Sequence, residues 1–320
     1  MNFTSIPNNG SSWREPLIYK FDVGSAEPQD VMVEIVDTTT ANILGTMRLY
    51  GVVTAEIDIA PYVANTSSLM PSWTNGALIM QRSSSARSVL VRVDGVESSS
   101  RIFFRSAFNY NVSTTLSGVV EHQEIELGDV ARITLFGKTR IWITYNCSTA
   151  TSATETSATT RGYPIELMMS TVNMSVGVTF SVNLRYENGN SHTFNYTVVP
   201  RRTTSTRLLW YNDNGGIESY VFDHKVRLGC GVEVSKVPGI NGAMLNSAEG
   251  WMRYRLCSGY ESAATVDRVI GVLLSPVVFS DRESSCEVVD ITTREFSFDS
   301  KGELHTLSLD ISKEWKGGGL

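Results

Sequence analysis

Catalysis and metal binding need a few reactive side chains held together, and their spacing along a chain can betray them. The four histidines, His122, His192, His224 and His305, lie far apart and belong to no HExxH or HxH pattern. Each reads as a surface or strand histidine. The four cysteines, Cys147, Cys230, Cys257 and Cys286, form no CxxC pair and read as free, mostly buried thiols; a Cys230–Cys257 or Cys257–Cys286 bridge stays open. Carboxylate pairs at Glu124 and Glu126, Glu283 and Glu287, and Asp299 and Glu303 have the chemistry of a glycosidase. A chain with 33 acids forms such pairs by chance. No GxSxG elbow, GxxxxGK[ST] loop or GxGxxG turn occurs. The tract Leu228-Gly229-Cys230-Gly231-Val232 lacks a third glycine and a following helix, and reads as a bulge or tight strand crossing. Tyr211-Asn212-Asp213-Asn214-Gly215-Gly216 resembles a calcium loop only on its surface, because it sits between two strand patterns rather than before a helix. The expectation is a non-enzymatic chain with no catalytic residue, cofactor or metal.

The elements that carry these residues are strands. Alternation puts Val31, Val33 and Ile35 on one face, and it recurs in Glu56–Ile59, Ser88–Val93, Arg140–Tyr145 and Val178–Tyr186. Turn residues punctuate the strands at Asp94-Gly95, Leu127-Gly128-Asp129, Glu187–Asn190 and Asn214-Gly215-Gly216. Phe180–Tyr186, Asn188-Gly189 and His192–Val199 together predict a hairpin. Only Ser262–Ser275 has helical spacing, with Val266, Val269, Ile270, Leu273 and Leu274 on one side and Pro276 as the stop. The predicted fold class is all-β: two to three β-sandwich-like domains in tandem, with one amphipathic helix at about 262–275 in the last. The expected units are 1–112, 113–204 and 205–320. The small polar tract Thr149–Thr160 reads as a low-complexity loop of the middle unit or a linker, and a lapse in patterning at Asn109–Gly118 marks the first boundary.

Composition narrows the function classes. A hydrophobic fraction of 42% with 19% charged residues supports real cores and argues against disorder. A net charge of −6 argues against nucleic-acid binding, which needs concentrated Lys and Arg. The N-terminus shows no basic and apolar leader pattern, and no stretch reaches the roughly 20 apolar residues of a membrane span. The chain therefore reads as made in a cytoplasm, without membrane insertion. Sequons at Asn2, Asn65, Asn111, Asn146, Asn173 and Asn195 follow from its wealth of Asn, Ser and Thr.

The aromatic residues concentrate around one hairpin. Trp210, Tyr211, Tyr220 and Phe222, with the polar turn Asn212, Asp213 and Asn214, make a candidate interaction hairpin; ordinary cross-strand core pairing is the plainer reading. The stretch Arg207–Phe222 resembles the WxNxxGGxxxYxF hairpin of phage-type virion structural proteins, of the tail or baseplate, from Bacteroidetes phages and prophages. Ser258-Gly259-Tyr260-Glu261, the helix, and Leu274-Ser275-Pro276-Val277-Val278-Phe279 are similar to the SGY…LLxSPxVY segment of those proteins. Trp13–Phe21 resembles their N-terminal start. The matches touch all three units and cover about a third of the chain. Phe279 departs from the pattern where an aromatic hydroxyl is usual, and Asp213 lengthens the turn. The resemblance implies a virion component assembled in the host cytoplasm, acting as a homo-oligomer with other virion proteins. The alternative is a bacterial cell-surface binding module for carbohydrate or a host protein, with glycan or receptor contact through exposed aromatic residues.

Overall fold

The computed structural model describes residues 1–314 apart from 66–68, 109, 111, 119–121, 151, 160–161, 240–241, 283–284, 294–297 and 302–303. The fold is all-β, with several sheets and little helix. Asn2–Ser5, Ile18–Asp22 and Thr54–Asp58 form a three-stranded sheet. It faces a second sheet in the order Ser11–Ser12, Arg101–Phe104, Ala86–Val93, Gln29–Asp37 and Ile43–Val52. The alternation in Gln29–Asp37 sends Val31, Val33 and Ile35 inward, where they meet Tyr19, Phe21, Val89 and Val91. Each such side chain contributes about 1.5–3 kcal/mol by leaving water. A short helix, Ala60–Asn65, escaped the periodicity because it makes fewer than two turns. Asp58 starts it by accepting from Ala60 N at 2.9 Å, and Pro61 sits in its first turn.

The middle unit is a second pair of sheets. Thr114–Thr115, Val130–Gly137, Tyr163–Ser170 and Ile79–Arg82 form one, in that order. Gln123–Glu126, Ser191–Val199, Thr179–Tyr186, Arg140–Cys147 and Thr154–Thr159 form the other. Between them Ile133, Leu135, Ile143, Leu167, Val182, Leu184 and Phe194 make the core. The hairpin of Thr179–Tyr186 and Ser191–Val199 closes through Gly189, at φ +88. Two findings depart from the sequence reading. Thr154–Thr159, inside the expected loop Thr149–Thr160, is an edge strand paired with Arg140–Tyr145. Its β-branched threonines suit a pleated, half-exposed edge once a neighbour supplies hydrogen bonds. Ile79–Arg82 lies early in the chain, yet it pairs with Ile165–Met168 of the middle unit.

The C-terminal unit is one long, bent sheet. Its order is Ile217–Phe222, Thr206–Tyr211, Val278–Arg282, Ser285–Ile291, Leu304–Glu314, Gly242–Cys257 and His224–Gly239. Ser285–Ile291 links its two halves, pairing with Val278–Arg282 on one side and through Asp290 and Ile291 with Leu304–Glu314 on the other. Leu208, Trp210 and Phe222 from one half meet Leu256, Leu307, Leu309 and Ile311 from the other, around the helix residues Val266, Val269 and Val272. The helix spans Ala263–Ile270, capped by Ser262, whose hydroxyl accepts from Thr265 N. A 3-10 turn, Gly271–Leu274, completes it. At three residues per turn instead of 3.6, that turn rotates Leu274 out to 66% exposure and brings Val272 inward.

Candidate functional site

The sequence-derived hairpin is an internal clamp. Trp210, Tyr211 and Phe222 are fully buried, so their rings pack in the core and form no exposed platform. Tyr220 is half-buried, and its hydroxyl donates to Glu261 Oε1 at 2.6 Å. The turn Asn212–Gly216 plugs into the N-terminal and middle units. Ala107 N donates to Asp213 O at 2.6 Å, Arg105 Nη1 to Asn212 O at 3.1 Å, and Ser85 Oγ to Gly215 O at 3.2 Å. The exposed Asp213 carboxylate pairs with Arg14 at 2.8 Å, and Asn214, also exposed, accepts from the Tyr110 hydroxyl. Half-buried Asn212 donates to Leu116 O and to Glu218 Oε1, both at 2.8 Å. Gly215 takes φ +82, and a Cβ there would lie 1.9 Å from Arg105 O. Glycine is required on both counts.

Buried ion pairs flank the clamp. Arg132 and Glu166 are 3.4 Å apart with side chains 1% and 0% exposed, and Ser83 Oγ donates to the same carboxylate at 2.8 Å. Arg207 lies between Asp129 at 3.6 Å and Asp281 at 3.5 Å, and its Nη2 donates to Val130 O at 2.6 Å. Arg268 pairs with Glu218 at 3.3 Å. Burial pushes the Glu166 and Asp281 carboxyls above their ordinary range, outweighing the attraction of Arg132 and Arg207 respectively. A cavity of about 450 Å³ opens beside these arginines, between Tyr196, Arg207 and Arg268 on its floor and Glu124, Asp223 and Tyr260 at its mouth. Among the described residues, Arg132 Nε and Arg268 Nε have no hydrogen-bond partner, and Arg207 Nη1 has only its ion-pair contacts with Asp129 and Asp281. The cleft is therefore suited to water or a polar ligand.

The remaining sequence candidates are spread through this framework. His122 Nε2 lies 3.1 Å from Thr197 Oγ1 at the cleft, and His192 stacks edge-on against Tyr186. No three His, Cys, Asp or Glu residues gather into a metal-holding group among the described residues. Glu124 and Glu126 anchor the connection into the last unit: Arg202 reaches Glu124, and Glu126 accepts from Arg202 N at 3.3 Å and Ser205 Oγ at 2.8 Å. Glu283, Glu303 and the Asp299 side chain lie outside the described residues, as does Asn111. All four cysteines are free, but none is buried: Cys147, Cys257 and Cys286 are half-buried and Cys230 is exposed. The expectation of buried thiols is corrected here, because all four sit on or beside solvent-facing strands.

The feature that sequence reasoning missed is a long arm. His224–Gly239 and Gly242–Cys257 are strands of 16 residues each, paired throughout as a hairpin. The glycine tract lies within it. The register shifts between Arg227 and Gly229, which fits the bulge of the two readings, and at Gly231 the ring of its cross-strand partner Trp251 occupies the space a side chain would take. Only Trp251–Cys257 pair with Leu304–Glu314; among the described residues, 232–250 pair only with each other. At about 3.3 Å per residue the projecting part is roughly 26 Å long. Val232, Val234 and Val237 are each 43–51% exposed along it, and Val226 and Leu228 are similarly exposed nearer its base. Val232 and Val234 have the spacing of an ordinary half-buried strand, which says nothing of whether a core lies behind them.

No family model matches the chain, and no curated protein is similar to it. Among solved structures, one match is a chicken TCR, 10% identical, covering 64% of this chain and 90% of that one at a TM-score of 0.20. So low a score carries no inference.

Proposed function

We propose that the chain is a non-enzymatic structural subunit of a virion, part of a phage tail or baseplate, which acts by assembling with copies of itself and with other virion proteins. The observation that carries this reading is the projecting arm. A two-stranded ribbon is marginal alone in water, and this one exposes three valines to solvent, with Val226 and Leu228 also exposed nearer its base. Such a surface is completed by a partner. The clamp suits the same role, because it locks three units together so that load on one passes to the others. The resemblance of Arg207–Phe222 and Ser258–Phe279 to phage structural proteins points the same way. In this reading the chain is assembled in the host cytoplasm, without nucleic-acid contact or membrane insertion. No helix among the described residues is long and apolar enough to cross a membrane.

The test is sedimentation of the purified chain over a wide concentration range, alone and with the arm cut back to a short turn between Val232 and Gly250. The full chain is expected to form defined oligomers, and the shortened chain to stay monomeric. A full chain that remains monomeric at every concentration and binds no other virion protein overturns the reading. A second reading, a surface binding module, has the polar cleft in its favour. Saturation-transfer measurements with a panel of simple sugars test it, and silence across the panel removes it.

A further inference from the structure

Besides the arm, the described residues hold a second incomplete surface: Ile43–Val52, a strand of ten residues at the end of its sheet, paired on one side only, with Gln29–Asp37, in regular register from Gly45 to Leu49 and shifted beyond each end. Its outer side presents a row of backbone donors and acceptors without strand partners among the described residues. Ile43 and Tyr50 stand 52% and 69% exposed on it, and Met32 is 45% exposed on the strand beside it. Long apolar edges of this kind invite strand addition, and soluble chains normally blunt them with charge, proline or a cover. The short edges of this chain are blunted by length or polarity: Ile79–Arg82 and Gln123–Glu126 have four residues each, and Thr154–Thr159 is polar. Ile43–Val52 is not short, and its one charged side chain, Arg48, pairs with Asp30 and lies over the Tyr50 ring.

The arm supplies what that edge lacks. His224–Gly239 is itself an outer strand, paired only with Gly242–Cys257 among the described residues. Its free edge runs to Val237, where Pro238, which has no N–H to donate, ends the stretch able to pair. From Val226 to Val237 it is about 40 Å long, enough to span a ten-residue strand of about 33 Å. The apolar character matches as well, with valines and Leu228 on the arm and Ile43 and Tyr50 at the edge.

Resting on the assembly reading above, we infer that the arm of one copy adds as a strand to the Ile43–Val52 edge of the next copy, so that the chain assembles head to tail. The two contact surfaces differ, so an open assembly still offers one free arm at one end and one free edge at the other. The assembly then closes as a ring, or grows as a filament if the rotation does not close.

Two double variants separate the surfaces: Val232→Lys with Val234→Lys on the arm, and Ile43→Lys with Tyr50→Lys on the edge. All four side chains are exposed, so the fold is retained, which circular dichroism and urea unfolding verify. In analytical ultracentrifugation the wild-type chain should form closed or growing oligomers. Each variant alone should associate at least tenfold more weakly. An equimolar mixture should give a one-to-one heterodimer that grows no further, because the edge variant's intact arm meets the arm variant's intact edge. If the wild type assembles and the edge variant assembles equally well, the edge assignment is wrong while the assembly reading survives. If both variants dissociate but their mixture stays monomeric, the head-to-tail arrangement is wrong. A wild type that stays monomeric overturns the inference and removes self-assembly from the proposed function.

Discussion

Replacing Gly215 with Ala probes the three-unit clamp directly. The residue sits at φ +82, where an L side chain costs about 1–2 kcal/mol. The added Cβ would also lie 1.9 Å from the Arg105 carbonyl, so the turn must back out of its socket. Retreat breaks the bonds from Ala107 N, Arg105 Nη1 and Ser85 Oγ, worth about 1 kcal/mol each. The total loss is about 4–5 kcal/mol, a large part of the 5–15 kcal/mol typical of folded domains. Gly189→Ala is the matched control: it has φ +88, with nothing within 4 Å of the new Cβ, so it carries only the conformational cost. Urea unfolding followed by tryptophan fluorescence should show Gly215→Ala about 3 kcal/mol less stable than the control. Its transition should also split as the N-terminal unit uncouples. Equal losses in the two variants, within about 1 kcal/mol, would refute the idea that the turn is held by its socket.

Glu166→Gln should destabilise by about 3–5 kcal/mol, because Arg132 stays buried without its counter-charge. The double variant Arg132→Met with Glu166→Leu should return to within about 1 kcal/mol of wild type in the same denaturation assay; no recovery would contradict the ion-pair account. The Asp281 carboxyl titrates above its ordinary value of 3.8 through burial, so its contribution is fullest below about pH 4 and falls as pH rises through the elevated folded value. The stability of wild type minus that of Asp281→Asn should therefore decline from pH 4 upward and then level off, and a rise with pH would reverse the assigned sign. Ser262→Ala removes the hydroxyl that accepts from Thr265 N and should cost about 1 kcal/mol, with faster hydrogen exchange confined to Ala263–Ile270; unchanged exchange there would deny the cap its role.

The sequence was legible wherever one face of a strand is wet and the other dry. Val31, Val33 and Ile35, and the Thr179–Val199 hairpin, announce themselves by period two because burial imposes that period. The C-terminal helix was legible for the same reason at period 3.6, up to the 3-10 turn that displaces Leu274. Thr154–Thr159 was hidden because small polar residues accept a strand or a loop with almost equal ease, and the partner strand decides. The candidate hairpin was found as residues but not as a place. Nothing in Trp210–Gly216 alone distinguishes a turn facing solvent from one seated against Arg105 and Leu116, 100 or so positions away. The arm was obscured in the opposite sense, since Val232 and Val234 alternate as though a core lay behind them.

The strand Ile79–Arg82 has a consequence for how this chain is made. It leaves the ribosome some 80 residues before its partner, Tyr163–Ser170, and must wait for it. At synthesis rates of about 5–20 residues per second, that wait lasts several seconds. During it Ile79 and Met80, both only partly covered even in the finished fold, have no sheet to join. The first unit can bury its own core at once, but the second can be completed only by a piece handed back from the first. A gene fragment cut at the sheet boundary would therefore encode a middle unit missing one of its edges.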